Sequence, residues 1–162
     1  MMKTIRIGIG DYGASRDHGD RLITYALGSC VALLLTDPKS GVTGMAHIAL
    51  PKPGKDNKTR PAPGYYATDA IPLLIKQMAT LGADPNGRGF VAKLVGGASV
   101  ISTMTRFNIG KRNVLAVRKL LWRYGLAPTA EDTGGDLSRT VSISVGEQTA
   151  TITSPAHGSW TV

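Results

Sequence analysis

Cys30 and three histidines carry most of the capacity for nucleophilic chemistry in this 162-residue chain. Cys30 is the single cysteine, which excludes an intramolecular disulfide and a multi-cysteine zinc site. Most free cysteines are small buried hydrophobes. Cys30, however, follows Gly28-Ser29 within an apolar run. A glycine there permits a tight turn that projects a nucleophile and points backbone N–H groups at one spot, as an oxyanion hole requires.

His47 is the histidine best placed to act as a base for this thiol. It lies in the sequence TGMAHIALP, which we interpret as the second arm of a hairpin whose first arm follows Cys30. A Cys–His pair is the minimal unit of thiol hydrolase chemistry, although an isolated histidine in a strand is usually structural. A third group must orient the imidazole, and a hydroxyl or a backbone carbonyl can do so. Thr24 is a candidate, with an ordinary strand threonine as the alternative. His18 and His157 are expected to be exposed.

Two other functional motifs are rejected. Irregular histidine spacing without H-E-x-x-H argues against a metal site. Gly8, Gly10 and Gly13 spell the dinucleotide-binding pattern G-x-G-x-x-G, and Asp37 lies downstream at a suitable distance. That pattern must open a helix, so that the pyrophosphate meets the helix N-terminus. The residues that follow show almost no apolar period, so we interpret two of these three glycines as turn residues.

Hydrophobic periodicity predicts the elements that position these residues. We expect two helices, one with Thr68 as N-cap and Gly82 just beyond its end, and one over 113–124. Pro72 is expected in the first turn of the former, where its missing N–H does little harm. The run 22–36 is either two strands or a strand, a sharp turn and a short helix. The remaining predicted segments are strands at 3–10, 42–50 and 90–95, a hairpin at 141–153, and loops at 11–20 and 51–64.

These elements predict a layered α/β fold. Strands outnumber helices and mostly join as hairpins, which favours mixed, largely antiparallel sheets flanked by two main helices. No repeat or linker divides the chain, so residues 1–162 are expected to form a single domain. The composition, with 42% hydrophobic and 19% charged residues, is that of a globular protein.

Charge and hydropathy restrict the location and the classes of partner that we expect for this protein. No apolar run is long enough to span a membrane and no signal peptide is recognisable, so we expect a cytoplasmic protein. The net charge of +8 favours an anionic partner. Only nine residues are aromatic, and they are not interleaved with the basic residues, which argues against nucleic acid. A basic loop that follows His47 contains Lys52, Lys55, Lys58 and Arg60. This loop is either a docking surface or merely solvated.

Six blocks of sequence carry a resemblance that covers nearly the whole chain. They are T-Y-A-L-G-S-C-V-A-L (24–33), G-M-A-H-I-A-L-P (44–51), Y-Y-A-T-D-A-I-P-L-L (65–74), A-K-L-V-G-G-A (92–98), I-G-K-R-N (109–113) and D-T-G-G-D-L-S-R (132–139). In this order and spacing they resemble the CheD family of chemoreceptor glutamine deamidases. Ala26 departs from that family, whose members often carry glycine there.

The resemblance implies a cysteine hydrolase with a Cys–His–Thr triad, and motif position places these roles on Cys30, His47 and Thr24. It implies a fold similar to the catalytic domain of cytotoxic necrotizing factor toxins. The implied reaction converts glutamines of methyl-accepting chemotaxis receptors to glutamates and releases ammonia, with no metal or organic cofactor. Some members are also reported as methylesterases on these receptors. In some bacteria the phosphatase CheC is a partner.

The residues suit this chemistry. A free thiol has a pKa of roughly 8.5, and we expect a neighbouring His47 to raise the thiolate fraction. Backbone N–H groups of Ser29 and Cys30 are the expected oxyanion donors. A positive charge would steer the protein towards acidic helical receptor bundles. The alternative function is a chemotaxis binding module that engages receptors or CheC with little or no catalysis. A more distant alternative is a redox protein, which would need an external thiol to resolve Cys30.

Overall fold

The computed structural model describes residues 2–55, 59–99 and 108–162, which contain two helices and ten strands. The helices are α1 (Ala67–Thr80) and α2 (Ile109–Trp122). The strands are β1 (Thr4–Arg6), β2 (Tyr12–Ser15), β3 (Arg21–Leu27), β4 (Val31–Thr36), β5 (Thr43–Ile48), β6 (Val91–Gly96), β7 (Pro128–Thr133), β8 (Arg139–Ser144), β9 (Ala150–Ser154) and β10 (Gly158–Thr161). Neither helix, at 14 residues each, is long enough to cross a membrane.

The strands form two five-stranded sheets. Sheet 1 has the order β1-β3-β8-β9-β10, and sheet 2 has the order β2-β5-β4-β6-β7. Only β1–β3 and β6–β7 pair in parallel, so the predicted α/β class with mixed, mostly antiparallel sheets and two helices is confirmed. Of the two interpretations of 22–36, the pair of strands, β3 and β4, is correct.

The β4–β5 hairpin is the centre of sheet 2. All six residues of each strand are buried, as expected for strands covered on both faces. The Asp37 carboxylate closes the turn by accepting from Lys39 N at 3.1 Å and Ser40 Oγ at 2.8 Å. Register pairs Ala32 with His47, as the predicted hairpin requires.

Two apolar clusters cover the two faces of sheet 2. Alternate side chains of β4, including Leu33 and Leu35, pack with both helices in the first cluster. Ala32 and Leu34 point the other way, towards Leu22 and Val141 of sheet 1, in the second cluster. Successive strand side chains point to opposite faces. Residues of even number in β4 therefore lie in the layer between the sheets.

Three strands at the edges of the sheets were not predicted. Strand β2 lies inside the expected loop 11–20, where it pairs with β5, so the glycine motif leads into a strand and not into a helix. Strand β7 begins with Pro128 and is polar, but it is an edge strand, where proline is tolerated. Strand β10, with four residues, is an edge strand of sheet 1.

Both helices begin earlier than predicted. Tyr66, and not Thr68, is the cap residue of α1, and it makes no side-chain capping bond. Pro72 is consequently the sixth residue of α1, beyond its first turn, although its side chain is exposed. Helix α2 begins at Ile109, and the Asn108 side chain accepts from Lys111 N at its start. Gly82 lies just past α1 with φ 103°, as predicted.

Ala26 occupies a backbone conformation that favours glycine. Its φ is 53°, within an irregularity of the β3–β8 pairing between Thr24 and Leu27. A residue with a Cβ is strained there by about 1–2 kcal/mol. We expect Ala26→Gly to stabilise the protein by roughly 0.5–1 kcal/mol, because relief of strain exceeds the entropy that glycine adds to the unfolded chain. Urea unfolding of both proteins measures this difference, and a lower midpoint for Ala26→Gly would contradict it.

Candidate active site

Cys30 and His47 lie on the same side of sheet 2. Ala32 pairs directly with His47, so Cys30, two residues before Ala32, is a diagonal neighbour of His47. Such neighbours have Cα atoms about 7–8 Å apart, with the side chains somewhat closer. Cys30 is partly buried and packs against the cluster between the sheets. Alternation along the hairpin thus places the thiol and the imidazole on one face of sheet 2.

Thr24 reaches His47 from the opposite sheet. Thr24 lies on β3 and is fully buried, and its Oγ1 is 2.6 Å from His47 Nδ1. The same hydroxyl donates to the Ile7 carbonyl oxygen at 2.6 Å. A threonine hydroxyl has one proton, and that proton is used on Ile7. His47 Nδ1 must therefore carry a proton and donate it to Thr24, which fixes the imidazole tautomer.

This tautomer leaves a lone pair on His47 Nε2. That nitrogen is buried and has no hydrogen-bond partner among the described residues. The backbone of His47 is held by two hydrogen bonds to the segment just before β2, because His47 N donates to Asp11 O and His47 O accepts from Gly10 N. The imidazole is thus held in place, and its Nε2 atom is an unpaired base on the face that it shares with Cys30.

Burial keeps both groups neutral. Desolvation lowers the pKa of His47 to about 4, against a smaller opposing effect from the Asp11 carboxylate. Desolvation also raises the pKa of the Cys30 thiol. The expectation that His47 raises the thiolate fraction of the resting protein is therefore wrong: the two groups rest as thiol and neutral imidazole. In this arrangement His47 can act as a base only at the moment when the thiol attacks.

The loop before Cys30 is shaped by close backbone contacts. Gly97 N donates to Cys30 O at 2.8 Å, and Ala98 N donates to Gly28 O at 2.8 Å. Gly96 has φ 113°, and a Cβ there would lie 2.3 Å from Cys30 O, so only glycine fits. The N–H groups of Ser29 and Cys30 have no acceptor within the described part of the chain. These two N–H groups are therefore free to donate to an oxyanion, as an oxyanion hole requires.

Asn113 is a site residue that the sequence analysis missed. It lies on α2, is fully buried, and donates from Nδ2 to Ser29 O and to Ala49 O, both at 2.9 Å. One amide thus ties the residue before Cys30 to the residue two after His47. An asparagine on the buried face of a predicted helix was the available signal, because a buried amide must find partners.

A partly buried ion pair supports the same loop from sheet 1. Arg139 is 4% exposed and donates to Asp132 at 2.8 Å and to Gly96 O at 3.4 Å. Trp160 Nε1 donates to the other Asp132 oxygen at 2.6 Å. Asp132 belongs to sheet 2, whereas Arg139 and Trp160 belong to sheet 1. The pair therefore joins the sheets beside the glycine that contacts Cys30.

The predicted docking residues are only partly free. Lys52 and Lys55 are exposed. Arg60 is engaged, since its Nε is 2.7 Å from Asp69 and its guanidinium lies 5.5 Å from the Tyr66 ring centroid. Lys58 lies outside the described residues. Within 2–55, 59–99 and 108–162, no group of three His, Cys, Asp or Glu side chains converges as metal ligands would.

The depressed pKa of His47 has a consequence for stability. The unfolded histidine has a pKa near 6.5 and the folded one about 4, so between these values the unfolded state binds more protons. The stability contribution is therefore complete above pH 6.5 and is lost as the pH falls to about 4, by roughly 3 kcal/mol. Urea unfolding measures this loss at each pH. Between pH 7 and 4.5 we expect the free energy of unfolding to fall less for His47→Asn than for the unsubstituted protein. Equal losses would contradict the buried neutral imidazole.

The fold and this arrangement define an α/β protein with a Cys–His–Thr constellation between two sheets. The family model described as "CheD chemotactic sensory transduction" matches residues 49–154. A relative named probable chemoreceptor glutamine deamidase CheD, from Syntrophotalea carbinolica, is 45% identical over 99% of this chain and all of its own. The chemoreceptor glutamine deamidase CheD of Thermotoga maritima is 41% identical over 86% of this chain and 84% of its own. The chain belongs to the CheD family.

Proposed function

We propose that this protein deamidates glutamine side chains of chemoreceptors, with Cys30 as nucleophile, His47 as base and acid, and Thr24 as the residue that orients His47. Family membership and the names of the relatives support the substrate class. The observation that carries the residue roles is the Thr24–His47 hydrogen bond of 2.6 Å, which leaves His47 Nε2 as a free base on the face of Cys30.

The first half-reaction forms a thioester. His47 Nε2 takes the thiol proton as Cys30 Sγ bonds to the amide carbon of the glutamine side chain. The carbonyl oxygen becomes an oxyanion and accepts from the N–H groups of Ser29 and Cys30. When this intermediate collapses, the C–N bond breaks and the imidazolium gives its proton to the nitrogen, which leaves as ammonia.

The second half-reaction releases glutamate. A water molecule loses a proton to His47 Nε2 as its oxygen attacks the thioester carbon. The same N–H groups hold the new oxyanion. The C–S bond then breaks, the thiolate recovers the proton from His47, and the side chain is left as a carboxylic acid. The sum consumes one water for each ammonia and regenerates the thiol, and it draws on no metal or organic cofactor.

Further parts of this proposal concern substrate scope and partners. A methyl ester presents the same carbonyl with a better leaving group, so methylesterase activity at the same site is part of the proposal. The substrate region is the acidic helical cytoplasmic part of the receptor, and Lys52 and Lys55 steer it by charge. CheC is proposed as a regulatory partner. We place the activity in the cytoplasm, within a single domain formed by residues 1–162.

The second candidate function is a binding module without catalysis. The raised pKa of the Cys30 thiol favours it, because the resting nucleophile is protonated. A decisive experiment incubates a receptor cytoplasmic fragment with this protein and, in parallel, with Cys30→Ala, and maps the peptides by mass. Glutamine-to-glutamate conversion at discrete sites, absent with Cys30→Ala, supports the deamidase. Stable binding of the fragment with no conversion would establish the binding module instead.

A further inference from the structure

Helix α2 presents an unusual apolar row to solvent. Ile109, Leu115 and Trp122 are 40%, 49% and 77% exposed. They make up half of the large hydrophobic side chains exposed in the described part of the chain, the others being Met2, Ile9 and Tyr25. Leu115 and Trp122 are seven residues apart and lie on one side of the helix, whereas Ile109 lies about a third of a turn away at the helix start. All three side chains line the same groove. A clustered apolar row on an otherwise polar surface marks an interaction site.

This row forms one wall of a groove that begins beside the candidate active site. The groove encloses about 1190 Å³, and its other wall is the segment 50–54, which starts three residues after His47. Asn113 bonds α2 to Ala49, the residue before this segment, so the two walls are held together close to Cys30. A helix with its side chains is about 10–12 Å across, which an open groove of this volume accommodates along part of its length.

The charges around the groove have one sign. Among the described residues, its lining includes Lys52, Arg112, Arg118, Lys119 and Arg123, and no carboxylate. Arg118 is neutralised by Glu131 through two bonds of 2.9 Å. The other four cations are exposed and have no ion pair within the described residues. An apolar floor with four free cations is complementary to a helix with an apolar ridge and acidic flanks.

We propose that this α2 groove binds an acidic amphipathic helix of the protein substrate and so presents a glutamine of that substrate to Cys30. The inference rests on the proposed deamidase function and adds a specificity-determining surface to it. Affinity for the substrate then comes from the groove, whereas the chemistry comes from Cys30 and His47. Groove substitutions should consequently raise KM and leave kcat nearly unchanged.

The test measures binding and catalysis separately. Binding of a helical receptor cytoplasmic fragment is measured with Cys30→Ala, and kcat and KM with the active protein. We expect Trp122→Ala to weaken binding about tenfold or more, as loss of a central aromatic anchor does. Arg112→Glu combined with Arg123→Glu should weaken binding at least as much and flatten its salt dependence. Thermal unfolding should be unchanged, because these side chains are exposed.

Two matched controls lie away from the groove. Met2→Ala removes an apolar side chain that is also 77% exposed. Lys39→Glu reverses an exposed charge in the turn at the far end of the β4–β5 hairpin from Cys30. Both control variants should bind the fragment as tightly as the unsubstituted protein does. Equal weakening by control and groove variants would overturn the proposal.

The outcomes separate the groove from the catalytic function. Full deamidation with an unchanged KM in both groove variants overturns the groove and leaves the deamidase standing. Groove-dependent binding of the fragment without any deamidation supports the groove and removes the catalytic proposal. Self-association, or binding to anionic vesicles, that disappears with Trp122→Ala while fragment binding persists would assign the groove to a second copy or a membrane and overturn the proposal.

Discussion

A Cys30→Ser variant is expected to fold normally and to lose at least about a thousandfold in kcat/KM for receptor deamidation. The two side chains are nearly the same size, so the packing against the cluster between the sheets survives. A hydroxyl is far less acidic than a thiol. His47, whose pKa is lowered to about 4, is too weak a base to compensate. Ammonia release in a coupled assay measures the loss.

Alkylation gives an independent check on the nucleophile, because Cys30 is the single cysteine. Activity should fall in proportion to the fraction of protein that iodoacetamide has labelled, and one equivalent of label should abolish it. Burial raises the pKa of the Cys30 thiol, so this labelling should be slower than that of an exposed thiol at neutral pH. Retention of activity after stoichiometric labelling, or a fully active Cys30→Ser protein, would remove Cys30 from the mechanism.

A His47→Asn variant is expected to lose about 10²- to 10⁴-fold in kcat, because the proton of the thiol then has no acceptor in the site. KM for the receptor fragment should change little, since His47 is buried beneath the substrate-facing surface at 2% exposure. Steady-state kinetics separate these two effects. The matched control is His157→Asn, which alters an exposed histidine just before β10 and should retain full activity.

The acidic limb of the pH profile tests the same residue without substitution. Because the pKa of His47 is lowered to about 4, the base remains neutral well below pH 6.5. The deamidation rate of the folded protein should therefore stay nearly constant from pH 7 to pH 5. A tenfold decline over that interval would identify a base with an ordinary histidine pKa and exclude His47 in this environment.

The parts of the fold that the sequence predicts are those specified by local patterns. The β4–β5 hairpin follows from two apolar runs around a turn that Asp37 closes, and the β8–β9 hairpin follows from alternation. Strands β2 and β7 pair with β5 and β6, which lie far away in the chain, so no local pattern marks them. Strand β10 has only four residues, which is too few to show a clear alternation. The sequence places the start of α1 too late, because the true cap residue, Tyr66, makes no side-chain capping bond that a pattern could reveal.

The candidate site also has parts that the sequence predicts and parts that it does not. The proximity of Cys30 and His47 depends on one hairpin and is predictable from its register. The contact of Thr24 with His47 depends on how two sheets stack, which the residues alone do not specify. The positive φ of Ala26 is a conformation that favours glycine, and the residue type alone does not predict it. Asn113 was assigned only to a helix start, because its two acceptors lie 84 and 64 residues earlier in the chain.

The hydrogen bond between Thr24 and His47 makes the site a test of complete folding. Thr24 is held in sheet 1 by pairing with β8, more than a hundred residues later, while His47 and Cys30 belong to sheet 2. Contacts so distant in sequence form late in folding. A partly folded copy therefore carries an ordinary cysteine and an unoriented imidazole. The proposed deamidation is therefore unavailable to a partly folded copy, because its base is oriented only after the two sheets have docked.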